Sequence, residues 1–126
     1  MLTPHDLATT LASYALEKKA TEPSVLFVEP LLSYCSHFVI CNGTNTRQVR
    51  AIANHVVGKL KTEHGVSALS TEGLQIGRWV LIDFGDVVFH VFDQKLRGFY
   101  DLDSLWADAE RVEVPGYVDQ PQRAWL

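Results

Sequence analysis

The sequence predicts an α/β domain built on a mixed β-sheet of about five strands flanked by α-helices. Three observations carry this reading. Apolar residues recur at helical spacing in two segments; short β-rich runs bounded by turn residues lie between and after them; and 126 residues with 47% hydrophobic content suffice for one core but not comfortably for two. The element order reads α-β-β-α-β-β-β-α, the order of a sheet with helices packed against it.

The first helix opens at Thr3-Pro4, a cap followed by proline in the first turn. Asp6 favours the positive end of the helix dipole, and Leu7, Leu11, Tyr14 and Ala15 carry the apolar stripe to about Lys19. SVLFVEP and HFVICNG are the next two strands, bounded by Pro30 and Gly43. Asn45 with Gln48 makes a capping-box-like start for the central helix. There Val49, Ile52, Ala53, Val56, Val57 and Leu60 keep the i, i+3, i+4 rhythm until Gly65. A weak strand near Ser67 to Ser70, a hairpin over 79–92 and a short helical piece around Leu102 to Ala109 complete the domain, which spans residues 1–111. Residues 112–126 turn to Pro, Gly, Gln and Asp and read as a loosely held tail in which Trp125 and Leu126 have docking potential.

Composition excludes several function classes. A net charge of −4 argues against nonspecific nucleic-acid or DNA binding through a basic surface, while leaving a basic protein partner open. Cys35 and Cys41 lie on one extended run, about 20 Å apart at strand rise, and cannot pair within it. There is no signal peptide, no apolar run of membrane-spanning length and no metal-type cysteine spacing. The expected location is a reducing cytoplasm, with no membrane partner.

WVLIDFGDVVFHVF, residues 79–92, is the most informative stretch. With Phe84-Gly85 as a two-residue turn, Asp83 faces Asp86, Leu81 faces Val88 and Trp79 faces His90. Val80, Ile82, Val87, Phe89 and Val91 then form an apolar core face. Trp79, Leu81, Asp83, Asp86, Val88, His90 and Phe92 form the other. That second face is too apolar for solvent and too polar for a core, the mixture expected of a partner surface with an aromatic anchor.

An enzymatic alternative stands beside it. Asp83 and Asp86 could flank Mg²⁺, and Gly-Thr-Asn-Thr before a helix could receive a phosphate, together sketching a nucleotidyltransferase-like site. The plainer reading makes Asn45 a helix cap and has the two aspartates accept backbone N–H groups of their turn. His90 lies about 13 Å along the strand from Asp86, too far for one metal to bridge. It reads as a partly buried histidine with one nitrogen satisfied. Asp83-Phe84-Gly85 matches the kinase motif in letters only, since no glycine-rich loop is present. Arg47, Arg50, Lys59 and Lys61 read as a solvated helix face. No metal or cofactor site is expected.

FVICNGTNTRQVRAIANHV, TEGLQIGRWVLIDFGDVVFHVF and RGFYDLDSLWADA resemble the ribosomal silencing factor family (RsfS, also called Iojap) across about residues 25 to 109. Trp79, Asp83, Gly85, Asp86, Val87, Val88, His90 and Phe92 stand in register, and the pattern continues through Arg97, Tyr100, Leu102, Leu105 and Trp106. Ser36-His37 departs from it, standing where the family usually has an acidic and an aromatic residue, and the tail after Ala109 is longer than in many members. The resemblance implies a nucleotidyltransferase-like fold without enzymatic activity. It further implies a translation repressor of starvation or stationary phase that binds the large ribosomal subunit through ribosomal protein uL14 and sterically blocks small-subunit joining. Homodimers are known in the family. The interface residues so implied are Trp79, Leu81, Asp86, Val88, His90 and Tyr100, with Trp106 at the edge, and an acidic domain gains steering toward a basic ribosomal protein.

Overall fold

The computed structural model describes residues 2–100 and 107–117. Thr3 Oγ1 accepts the Asp6 N–H at 3.0 Å and Pro4 opens α1 (Pro4–Glu17), as the cap motif predicts. β1 (Thr21–Phe27) and β2 (His37–Gly43) follow. Asn45 Oδ1 accepts the Gln48 N–H at 2.9 Å to start α2 (Thr46–His64), and Gly65 closes it in the left-handed conformation. Then come β3 (Ser70–Glu72), β4 (Trp79–Asp83), β5 (Val87–Asp93), α3 (Gln94–Tyr100) and β6 (Glu110–Val112).

The result is a mixed six-stranded sheet in the order β3-β4-β5-β2-β1-β6. β2 and β5 run parallel at its centre, from His37 opposite Val87 to Gly43 opposite Asp93; the other pairings are antiparallel. α1 and α2 cover one face. Leu7, Leu11, Ile52, Val56 and Leu60 pack there on Val39, Cys41, Val80, Ile82, Phe89 and Val91. Val80, Ile82, Val87, Phe89 and Val91, the predicted core face, are all fully buried.

Three expectations are corrected. The hairpin register is Trp79 opposite Phe92, Leu81 opposite His90 and Asp83 opposite Val88. The two-residue turn sits one position later than expected, at Gly85-Asp86, closed by Phe84 N–H donating to the Val87 carbonyl at 2.9 Å. Burial of Phe84 in the helix-side core favours this placement of the turn. Because the register moves by two residues, every side chain keeps its predicted face. A helix that the sequence reading did not place, α3, starts directly after β5 where Asp93 Oδ1 accepts the Lys95 N–H at 3.1 Å. Of the segment Leu102 to Ala109, residues 107–109 form a turn and the rest lies outside the described residues. The weak strand sits at Ser70–Glu72, not Ser67 to Ser70. Finally, the boundary expected at residue 112 falls inside β6, where Val112 pairs with Val25. Val114 is buried and Tyr117 packs against the core, so the chain stays docked through residue 117. Trp125 and Leu126 lie outside the described residues.

Ile82 is fully buried beneath the helices, whereas Leu69 is 71% exposed. Urea denaturation should therefore show Ile82→Ala losing about 2 to 5 kcal/mol through the cavity it leaves. Leu69→Ala should stay within about 0.5 kcal/mol of the parent.

Candidate functional site

The face of the sheet away from α1 and α2 carries a second apolar cluster. Leu26, Val28, Phe38, Ile40, Val88 and Phe92 lie buried there, with Trp79, Leu81, Leu32 and Leu96 packed around them. The cover is the chain itself: residues 28–36 fold over one part, and Leu96 at the start of α3 and Ala109 lie over another. The candidate residues accordingly occupy two levels. Trp79 and Leu81 are half-buried and Asp86 is exposed. Val88 and His90, expected to face a partner directly, are only 7% and 5% exposed and lie beneath that surface. The Tyr100 side chain and Trp106 lie outside the described residues.

Trp79 is held in place. Its ring stacks on Phe92 at 4.9 Å between centroids and its Nε1–H donates to His90 Nδ1 at 3.2 Å. Phe38 meets the same imidazole edge-on at 5.0 Å. An indole can only donate, so Nδ1 accepts and the imidazole proton sits on Nε2. That nitrogen is buried and has no hydrogen-bond partner among the described residues. Burial pushes the His90 pKa down to about 4, and the charge of Arg97 adds to the effect. The one satisfied nitrogen is as expected from the sequence, but the ring is buried and not merely partly so.

Arg97 is the feature that pattern reading alone passed over. It is buried, and its guanidinium donates to the Glu22 carbonyl at 2.8 Å, Asn42 Oδ1 at 2.9 Å and Ser24 Oγ at 3.1 Å. Arg111 reaches the same hydroxyl at 3.0 Å. Glu22 sits at a bulge in β1 with φ of +51°, a left-handed conformation that side chains rarely adopt, and its carbonyl is one of those that Arg97 binds. The available signal was the polar pair Ser24 and Asn42, each directly beside the apolar run of its strand.

At the other end of β5, the Asp86 carbonyl accepts Ser36 N–H at 2.7 Å, Ser36 Oγ–H at 3.0 Å and His37 N–H at 3.2 Å. Ser36 Oγ also lies 2.8 Å from His37 Nδ1. Backbone N–H groups at 36 and 37 fasten the turn to β2 whatever their side chains, and the Ser36 hydroxyl adds a third bond. Burial, then the neighbouring His5, holds the His37 imidazole below its ordinary range. Asp83 Oδ1 accepts the Gly85 N–H at 2.7 Å, the turn-shaping role expected of it. A cleft of about 300 Å³ lies alongside, lined by Glu29, Leu32, Tyr34, Cys35 and Asp86 among others. Burial raises the Cys35 thiol to about 11, with the charges of Asp83 and Asp86 adding to it, so the thiol stays protonated. Both cysteines are buried free thiols. In Gly-Thr-Asn-Thr, Asn45 caps α2 while the backbone N–H and hydroxyl of Thr44 donate to Gln48 Oε1.

A family model described as "Ribosomal silencing factor during starvation" matches residues 2–125. A ribosomal silencing factor from Chromobacterium violaceum is 42% identical over 116 residues, covering 91% of each chain. One from Halalkalibacterium halodurans is 41% identical over 102 residues, covering 81% of this chain and 86% of that protein. A crystal structure of a Chromobacterium violaceum protein superposes with a TM-score of 0.80 at 30% identity, covering 99% of this chain and 100% of that one.

His90 supplies a test of the site in isolation. Its folded pKa of about 4 lies below the unfolded value of 6.5, so the neutral ring's contribution is complete above pH 6.5. It is lost as pH falls toward 4, amounting to about 3 kcal/mol. Imidazole NMR resonances should show His90 neutral until close to pH 4. An apparent pKa above 6 would contradict the buried placement.

Proposed function

The chain belongs to the ribosomal silencing factor family, and we propose that it binds the large ribosomal subunit through ribosomal protein uL14 and sterically blocks joining of the small subunit. A ribosome-associated role in silencing translation follows from the family; the docking face is our assignment. What supports it is the fixed, half-exposed Trp79. An aromatic ring already held by Phe92 and His90 loses little rotamer freedom on binding, which is the property of an interface anchor. Leu81 extends the apolar patch and exposed Asp86 offers a charge to a basic partner. Val88, His90 and Phe92 act from below by setting the position of the patch. Tyr100 and Trp106 are assigned to the rim on the family pattern.

Off the ribosome, the same apolar patch offers a contact between two copies of the chain. The reading requires no cofactor and no catalysis, and its setting is the cytoplasm. Among the described residues, no helix is long and apolar enough to cross a membrane.

Co-sedimentation with isolated subunits tests the proposal. Trp79→Ala should lose about 2 kcal/mol or more of large-subunit binding, roughly a thirtyfold drop in affinity. Asp86→Lys should keep parental stability, because the fold uses the Asp86 carbonyl, yet bind more weakly at low salt than at high salt relative to the parent. Selective binding to small subunits, or full binding by both variants, would remove the proposed face. Order of addition should matter as well. A steric blocker added before the small subunit should prevent joining, and added afterwards should split few existing couples. Equal effects in both orders would indicate active splitting.

A further inference from the structure

The chain has 15 acidic residues against 11 Lys and Arg, yet its cations are unevenly placed. Gln48, in the first turn of α2, donates to the carbonyls of Lys18 and Lys19 at 3.1 and 3.2 Å, joining the end of α1 to the start of α2. Arg50 reaches the carbonyls of Gln75 and Ile76 at 3.3 and 3.4 Å, holding the 73–78 loop against the same turn. The approach is so close that a Cβ at Gly77, where φ is +75°, would lie 2.9 Å from the Thr46 carbonyl. Asp93 N–H donates to the Arg78 carbonyl at 2.8 Å, tying the loop to the end of β5.

Lys18, Lys19, Arg47, Arg50 and Arg78 are thereby gathered where the parallel strands β2 and β5 finish. Four of them are exposed and Arg50 is half-buried. Among the described residues none of the five is ion-paired, whereas Lys59 on the same helix is taken by Glu17 at 2.8 Å. The first turn of α2 contains no acidic residue, so the helix dipole adds to the same positive field. Glu29, Asp83, Asp86 and Glu110 lie at the opposite end, where β2 and β5 begin. Glu22 and Asp93 also stand at the cationic end, where the five cations outnumber them.

We infer that the cationic end docks on the phosphodiester backbone of RNA, which on the ribosome-bound reading above, on which this rests, is the ribosome's own. Two ends of opposite sign suit a boundary between a basic protein and a polyanion. Ribosomal proteins are mostly basic, so the polyanion on that surface is RNA rather than an acidic polypeptide. Five cations spread over three segments match a backbone contact, which needs charge and little base readout. The negative net charge keeps free RNA binding weak, and the contact is made once the face that runs from Trp79, next to Arg78 at this end, to Asp86 at the other is seated.

The probe is a short RNA hairpin, titrated against the full chain by fluorescence anisotropy at several salt concentrations. The parent should bind at low salt with Kd of roughly 1 to 100 µM. K18Q/R47Q/R78Q, its fold verified by circular dichroism, should bind about tenfold more weakly with a log–log salt slope reduced by about two to three. On large subunits the triple variant should show the same loss of slope, whereas Trp79→Ala should lose affinity at unchanged slope. Absence of hairpin binding by the parent, equal binding by the triple variant, or stronger competition by a polyglutamate peptide than by RNA overturns the inference. Charge-dependent hairpin binding without any large-subunit binding supports the RNA surface and overturns the ribosome-bound reading instead.

Discussion

The parallel pairing of β2 with β5 is the constraint from which the rest of the architecture follows. Seven residue pairs, from His37 with Val87 to Gly43 with Asp93, run side by side at the centre of the sheet. Parallel neighbours cannot be joined by a tight turn, so the chain leaves β2 through α2 and returns by the antiparallel strands β3 and β4. A central parallel pair also has to be covered on both faces. The helices supply one cover, and residues 28–36 with the beginning of α3 supply the other. Every residue of β2 and all but the last of β5 are buried as a result.

That double cover explains the chemistry around the anchor more directly than a partner surface alone does, since the polar groups inside the second layer bond one another, His90 Nε2 excepted among the described residues. Arg97 binds carbonyl, amide and hydroxyl oxygens from β1 and β2, and thereby holds the left-handed bulge at Glu22. His90 accepts the indole proton of Trp79 and remains neutral under the combined effect of burial and the Arg97 charge. A surface residue is therefore positioned by a buried one, which is in turn biased by a buried cation. Trp79 is held because its partners Phe92 and His90 are themselves buried.

The two ends of the same parallel pair differ in charge for a related reason. Where β2 and β5 begin, the Asp86 carbonyl is clamped by Ser36 and His37, leaving acidic side chains at the rim. Where they finish, α2 starts, α1 ends and the 73–78 loop folds across, and each brings lysine or arginine. Net charge averages over both ends and hides this separation.

Much of the fold was legible from the residues alone. Thr3 and Asn45 are cap residues whose chemistry is local, and the 3.6 and 2.0 periods of α2 and of the 79–92 hairpin assign faces without knowledge of neighbours. The face assignment survived even a misplaced turn, because the register moved by an even number of residues. What the sequence could not settle was decided by distant partners. β6 is three residues long and is a strand only because β1 offers it an edge. The start of α3 depends on Asp93, which reads as the end of a strand. Burial of Val88 and His90 depends on residues 28–36 and on α3, which lie about 50 residues before and a few residues after them in the chain and carry no periodic signal of their own. The sequence by itself determined which side chains share a face, since that follows from backbone geometry within one element. Only the tertiary structure decided which of those faces are covered, and by what, because coverage is a property of segments that meet far apart in the chain.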